Sequence, residues 1–334
     1  MYEHWEQVRD AILDALFTPF PPLRAGARLA RILHTAGLLR LARMGLLPVR
    51  RLGEEEFRGD SPKLLLTGNA LHADIPPDAA GSGIFGWLLS MLGQEVGFPV
   101  PEGGAGRLAG ALRERAESHG AQVRVNSRVT RVEVRGRRAI GVRLADGTAI
   151  AARRAVLADT SAPALYRRLL DPSVVPERML RNLEHFQWDH GTLKLNWALG
   201  EPLALTVQEL RAHVDRVEDA VERVAPGFRD RVVGRLVQNP GDLQSANANL
   251  VGGAINGGTA SIHQQLVFRP SVGLGRPETP IEGLYLAGAS AHPSGGVHGA
   301  AGWNAARSAL RSGGPAGAAR RALVRTAWAR VLGD

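Results

Sequence analysis

Apolar residues recur every three to four positions through the first fifty residues of the chain. Trp5, Val8, Ile12, Leu13 and Leu16 mark one helical face, which Pro19, Pro21 and Pro22 bring to an end. Between 23 and 48, Leu29, Ile32, Leu33, Leu38, Leu39 and Leu41 alternate with Arg24, Arg28, Arg31, Arg40 and Arg43. An amphipathic helix pair with its arginines in water fits that pattern, and so does a helix lying on a membrane surface. Residues 64–100 form a further apolar region with helix punctuation, and 106–118 reads as a helix opened by Gly103 and Gly104. From 121 the period becomes two. The run predicts three or four antiparallel strands through Thr160, the first over 121–125, with a turn at Asp146-Gly147. GTLKLNWAL (191–199) predicts another strand, and 206–237 reads as helical, the run broken by Pro226-Gly227. A glycine- and asparagine-rich loop follows at 247–268. A short strand at 284–287 then runs into a glycine turn and a small-residue helix bearing Gly299, Gly302 and Asn304. After a Gly/Pro break, the tail 311–334 reads as a basic surface helix with Arg320, Arg321, Arg325 and Arg330.

Composition narrows the class. At 334 residues and 44% hydrophobic content, the chain has material for one large domain or two, and 40 glycines suit a turn-rich α/β protein. Without cysteine there is no disulfide, no thiolate metal site and no cysteinyl cofactor link; a reducing cytoplasm is the expected compartment. The first ten residues carry charges where a cleavable signal would be apolar, and no run of about 18 apolar residues could span a membrane. The net charge of +9 comes almost wholly from arginine, lysine occurring only at Lys63 and Lys194. With no zinc-finger spacing and no basic stretch interleaved with aromatics, that charge does not predict a nucleic-acid partner. Attraction to anionic surfaces stays open.

Three glycine clusters invite a nucleotide-binding reading. Gly81-Ser-Gly83-Ile-Phe-Gly86 matches the dinucleotide fingerprint, but PPDAA precedes it instead of a buried strand, and no acidic residue closes a βαβ unit about 20 residues on. It reads as a helix start. Gly103, Gly104 and Gly106 also lack a preceding strand. The third, GLYLAGASAHPSGGVHGAAGWNAARSAL (283–310), has the strand–turn–helix order that presents bare N–H groups and a helix N-terminus to something flat or anionic. A tight βα turn in an ordinary α/β sheet has the same order. His292 and His298 flank this turn and read as structural histidines bonded to backbone carbonyls; six residues apart, they do not form a metalloprotease-type helix pair.

The wording of 283–310 resembles the C-terminal flavin-contacting segment of the phytoene desaturase-like FAD-dependent oxidoreductases of the amine oxidase superfamily. Gly288, Ala289 and Ser290 match the strand end, and Gly295, Gly296, Val297, His298 and Gly299 match the helix start. The resemblance implies a strand end near the FAD pyrophosphate and a helix start near the flavin ring, with Asn304 on that helix. By the same resemblance, Val129 pairs with the adenine and Asp159-Thr160 ends a strand beneath the cofactor. The strand around Lys194 would belong to the sheet that roofs the flavin, and 247–268 would border the flavin or the substrate entrance.

The fold class so implied is mixed α/β: a partial FAD/NAD(P)-binding, Rossmann-like domain with a helical and β cap (substrate) domain. The expected division is 1–100 helical cap, 101–172 an FAD-domain segment, 173–245 a substrate-domain remnant, 246–310 the C-terminal FAD-contacting segment and 311–334 the basic tail. Two family features are missing from the sequence: the leading strand–GxGxxG–helix unit with its acidic residue, and several cap strands after Glu201-Pro202. FAD is therefore expected to bind weakly or not at all to this chain by itself. The implied activity is flavin hydride transfer or isomerisation on a hydrophobic small molecule, without an identified catalytic acid or base. The alternative is a non-catalytic paralogue or one subunit of a split flavoprotein, which binds an apolar ligand or a sister chain. A homodimer or a partner chain supplying the nucleotide-binding unit, and contact with a membrane surface, stay open as expectations.

Overall fold

The structure, a computed structural model, describes residues 2–192, 194–199 and 214–333. In chain order its helices are α1 (Tyr2–Phe17), α2 (Leu23–Leu46), α3 (Val49–Glu56), α4 (Asp60–His72), α5 (Ser82–Val96), α6 (Gly106–Ser118), α7 (Ala162–Ala164), α8 (Glu177–Asn182), α9 (Val214–Val224), α10 (Pro240–Ala246), α11 (Ala300–Leu310) and α12 (Gly314–Leu332). The strands are β1 (Val129–Arg135), β2 (Arg138–Leu144), β3 (Ala149–Ala151), β4 (Val156–Ala158), β5 (Lys194–Leu199), β6 (Val232–Gln238) and β7 (Leu284–Leu286). The chain divides into two compact units, Met1–Asp189 with Asn256–Asp334, and His190–Ile255. The mixed α/β class expected from the sequence is the class observed.

In the larger unit, α1, α2 and α5 close over Trp5, Val8 and Trp87, with the two indoles edge to face at 5.5 Å. The α2 helix kinks at His34 (φ +50°), so the arginine-rich stretch is indeed a helix pair, and Arg28 and Arg43 reach out to Asp10 and Glu55. The fingerprint-like glycines open α5, as expected of a helix start, and the structure gives the reason for them. A Cβ on Gly83 would lie 2.7 Å from the Leu47 carbonyl, and one on Gly86 would lie 2.6 Å from the Leu66 carbonyl. They are there for close helix packing, not for phosphate.

The second core of this unit gathers Val132, Leu165, Met179, Leu284, Leu286 and Trp328. Antiparallel β1, β2 and β3 form one sheet, turning at Gly147 (φ +87°) as predicted. The fourth strand of the run does not continue the meander: β4 pairs in parallel with β7, Val156 opposite Leu284. Residues 121–125 are not a strand, which corrects the periodicity reading. A strand needs a neighbour, and none among the described residues lies alongside, so Val123 and Val125 stand half or more exposed. The tail is not a surface appendage either. Val324, Trp328, Val331 and Leu332 form one helical stripe that packs into the second core, and the Trp328 indole donates to the Glu278 carbonyl at 3.1 Å.

In the smaller unit, β5 and β6 pair antiparallel, Lys194 opposite Gln238. The buried Glu218 of α9 accepts from Arg235, and Val217 and Val221 pack on Phe228. The helix read over 206–237 is seen as α9 from Val214 to Val224, and its first part, with the junction after Glu201-Pro202, lies outside the described residues; past Pro226-Gly227 the reading is corrected, because 232–238 is the strand β6 paired with β5.

One buried charge ties the larger unit together. Arg269 is 2% exposed, and its guanidinium donates to the carbonyls of Asn256 (2.8 Å), Gly258 (3.2 Å), Thr259 (2.8 Å) and Ala289 (2.8 and 3.1 Å). Burial lowers its pKa to about 10, against which the Asp189 carboxylate acts. Asp189 in turn accepts the N–H groups of Asn256 (2.8 Å) and Gly258 (3.0 Å), so the 256–259 loop gives its N–H groups to one ion and its carbonyls to the other. Replacing Arg269 by Met leaves these carbonyls unpaired and Asp189 uncompensated. We expect a loss of about 3–5 kcal/mol in chemical denaturation, against less than about 1 kcal/mol for exposed Arg24→Met.

Candidate functional site

Parallel strands end where their loops must diverge, and ligands of α/β sheets collect at those carboxyl ends. Here the ends of β4 and β7 lead into Asp159-Thr160 and Ala287-Gly288, with the Ala287 N–H donating to the Ala158 carbonyl at 2.9 Å. Gly288 has no room for a side chain because the Asp159 carboxylate occupies the place of its Cβ. The Thr160 hydroxyl oxygen is buried without a hydrogen-bond partner. Such an orphan costs about 1–3 kcal/mol unless something else satisfies it.

The turn that follows is held from three sides. Arg269 fixes the Ala289 carbonyl, and the Ser290 hydroxyl donates to the Gly257 carbonyl at 2.6 Å. Gly295 packs against Asn256, where a Cβ would come within 2.8 Å of the Asn256 Cα, and the Asn256 amide donates to Asp74 at 2.6 Å. From the far side, the end of α1 docks on the turn. The Asn304 amide donates to the Phe17 carbonyl at 2.9 Å, and His292 Nε2 donates to the Thr18 carbonyl at 3.0 Å. Both interactions fit structural roles, and for His292 that is the role read from the sequence. His292 is 3% exposed and its other ring nitrogen, Nδ1, is a second buried orphan.

Past the turn, the backbone opens. Gly296 (φ +144°) lies against the His298 ring, whereas Gly299 (φ +62°) begins α11 with empty space where a Cβ would be. Val297 between them is 94% exposed. His298 Nδ1 accepts the Ala300 N–H at 3.0 Å, so the imidazole caps the helix in its neutral form. The first-turn N–H groups of Ala301 and Gly302 have no intrahelical acceptor, and with the helix dipole they favour a partial negative charge at this end.

Of the residues singled out in the sequence, Asp159, Thr160, Gly288, Ala289, Ser290, Gly295, Gly296, Val297, His298, Gly299 and Asn304 fall on β4, β7, their loops and α11. Val129 stands apart, at the start of β1 opposite Leu144. Sequence reasoning missed Asp189, Arg269 and the α1 terminus, all of which position the turn. Burial of an arginine is not visible in a sequence; the one signal was a lone Arg269-Pro270 beside the glycine-rich loop.

Burial lowers the pKa of both His292 and His298. An unfolded imidazole takes its proton near pH 6.5, and the folded ones take theirs at lower pH. Between those values the unfolded chain binds more protons, so stability is complete above about pH 6.5 and declines on acidification. The thermal midpoint should therefore fall between pH 7 and 5.5. His298→Gln, which accepts from Ala300 without titrating, should reduce that fall.

The family described as flavin containing amine oxidoreductase matches residues 27–196, just over half of the 334. A stretch of 104 residues is 42% identical to "Pyridine nucleotide-disulfide oxidoreductase domain-containing protein 2" of Rattus norvegicus, and the protein of the same description from Mus musculus matches at the same identity. That stretch is 31% of this chain but only 18% of either relative. The fold resembles the crystal structure of an oxidoreductase from Methanosarcina mazei, with a TM-score of 0.54 over 82% of this chain and 71% of that one. At 14% identity, that likeness is one of fold alone. By its matched half, the chain belongs to the flavin containing amine oxidoreductase family.

Proposed function

We propose that the carboxyl ends of β4 and β7, with the 288–299 turn and the start of α11, form part of the FAD site of a phytoene desaturase-like oxidoreductase acting on a hydrophobic small molecule. The observation that carries this reading is the orphaned Thr160 hydroxyl, buried at the end of a parallel strand beside a glycine turn. His292 Nδ1 is a second polar atom without a partner, and Gly299 leaves free space at a helix start. These features fit a flat, polar-edged ring system and a nearby negative charge. When bound, flavin would supply hydride acceptance. This chain's own residues would hold and orient it: Thr160 and the bare backbone of 295–299 by hydrogen bonds, and the start of α11 by its dipole. His298 fixes the angle of that helix start.

The residues present do not fit the whole cofactor. Gly83 and Gly86 of the GxGxxG-like stretch are occupied by helix packing, so that stretch forms no phosphate cradle. We therefore read the site as completed by another polypeptide segment, either elsewhere in the same protein or in a partner. Two observations support that second element. The α6 helix buries none of its side chains, with Leu112 64% exposed, and Val123 and Val125 beside it are also uncovered. A bare helix followed by an uncovered apolar extended segment invites an added strand or helix. A non-catalytic role beside a sister chain rests on the same exposed surface.

Visible absorption during FAD titration tests the reading. We expect weak uptake, roughly micromolar or weaker, because each missing charge-assisted hydrogen bond removes about 1.5–3 kcal/mol. Thr160→Val should leave the free protein as stable or more so, since it deletes an unsatisfied hydroxyl, yet weaken FAD uptake. Gly299→Asn, which tolerates the positive φ, should weaken it too by filling the open space. Equal affinity in wild type and both variants would remove the turn from the site.

A further inference from the structure

Away from the glycine turn, the hairpin 278–285 and α12 flank a half-open cleft of about 80 Å³, with Arg137 of the β1–β2 turn also in its lining. No residue of 288–299 lines it. The hairpin is braced by Thr279, whose hydroxyl shares its proton between the Ile281 and Leu284 carbonyls and accepts the Ile281 N–H. It is anchored on β2 by the Ala139 N–H donating to the Glu282 carbonyl at 2.9 Å, and on α12 by Trp328. Pro280 and Val324 give the cleft a partly exposed apolar edge, with the core residues Ile281 and Leu284 behind it.

Its charges are unbalanced. Arg137, Arg320, Arg321 and Arg325 line it, against the carboxylates of Glu278 and Glu282. Those two carboxylates are already engaged: Arg320 and Arg276 pair with Glu278, and Arg321 and Arg138 pair with Glu282. Among the described interactions, Arg137 and Arg325 have no carboxylate partner. Two uncommitted guanidinium groups thus flank a small preformed cleft with an apolar edge. Guanidinium groups bind carboxylate, sulfonate and phosphate oxygens in forked pairs.

We propose that this cleft binds a small organic anion, an aryl or acyl body carrying one carboxylate, sulfonate or phosphate group, with the body against Pro280 and Val324 and the anion between Arg137 and Arg325. The site is separate from the flavin reading and does not depend on it.

Calorimetric titration of the full chain with naphthalene-2-sulfonate tests the assignment, with uncharged 2-naphthol as the comparison. We expect one saturable site for the sulfonate and at least tenfold weaker binding of the naphthol. Arg137→Glu and Arg325→Glu, both at exposed positions, should each weaken sulfonate binding at least tenfold, and Val324→Trp should do so by occupying the cleft. Arg24→Glu, an equal charge change elsewhere on the surface, should leave it unchanged. Absence of saturable binding in the wild type, equal affinity for the uncharged analogue, or the same affinity in all four variants would overturn the proposal. Circular dichroism of each variant separates loss of the site from loss of the fold.

Discussion

The geometry of the glycine turn rests on a buried ion with no carboxylate in direct contact. A guanidinium removed from water must recover its hydration from fixed dipoles, and Arg269 does so from four backbone carbonyls. A loop that turns three of its carbonyl groups toward one point cannot also satisfy all its N–H groups locally, and Asp189 takes two of those. Cation and anion thereby impose one conformation on 256–259. That loop then forms a wall against which Ser290 and Gly295 are placed. The precision of the β7 turn is inherited from this pair, since three residues of β-pairing with β4 would hold it only loosely.

How much of this could be read from the sequence depended on whether the deciding force was local. The α6 boundaries follow from two glycines and a helical period, and the Asp146-Gly147 turn follows from its residue types; both appear as read. The strand of 284–286 was likewise visible as a short apolar run before glycine. Where the force was tertiary, the reading failed. Residues 121–125 carry the alternation of a strand but have no neighbour to pair with. The stripe of α12 was hidden among arginines, and it took Trp328 in the core to show which face mattered. Partnership between β5 and β6 spans more than thirty residues and was hidden because the run after Pro226-Gly227 reads as helical.

The same distinction governs the candidate site. Its backbone was legible because glycine leaves a signature: a positive φ, a close approach or a bare helix start. The groups that hold the turn come from distant points, Phe17 and Thr18 at one end of the chain and Asp189 in the middle. Nothing in their local sequence marks them. The family match at 27–196 falls on the helical and ribbon regions and not on the turn, so the two lines of resemblance are independent of each other.

The parallel pairing of β4 with β7 has a further consequence, for the order in which the molecule assembles. Its partners lie 284 − 156 = 128 positions apart, whereas β1, β2 and β3 close through short turns. Closing a long loop carries more entropy than closing a hairpin, and non-local contacts form late. On a ribosome, the ribbon and the aromatic core of α1, α2 and α5 can be complete while β4 still waits for residues not yet made. The turn is thus formed late, and until β7 has been made the edge of β4 stays open to whatever other strand is nearby.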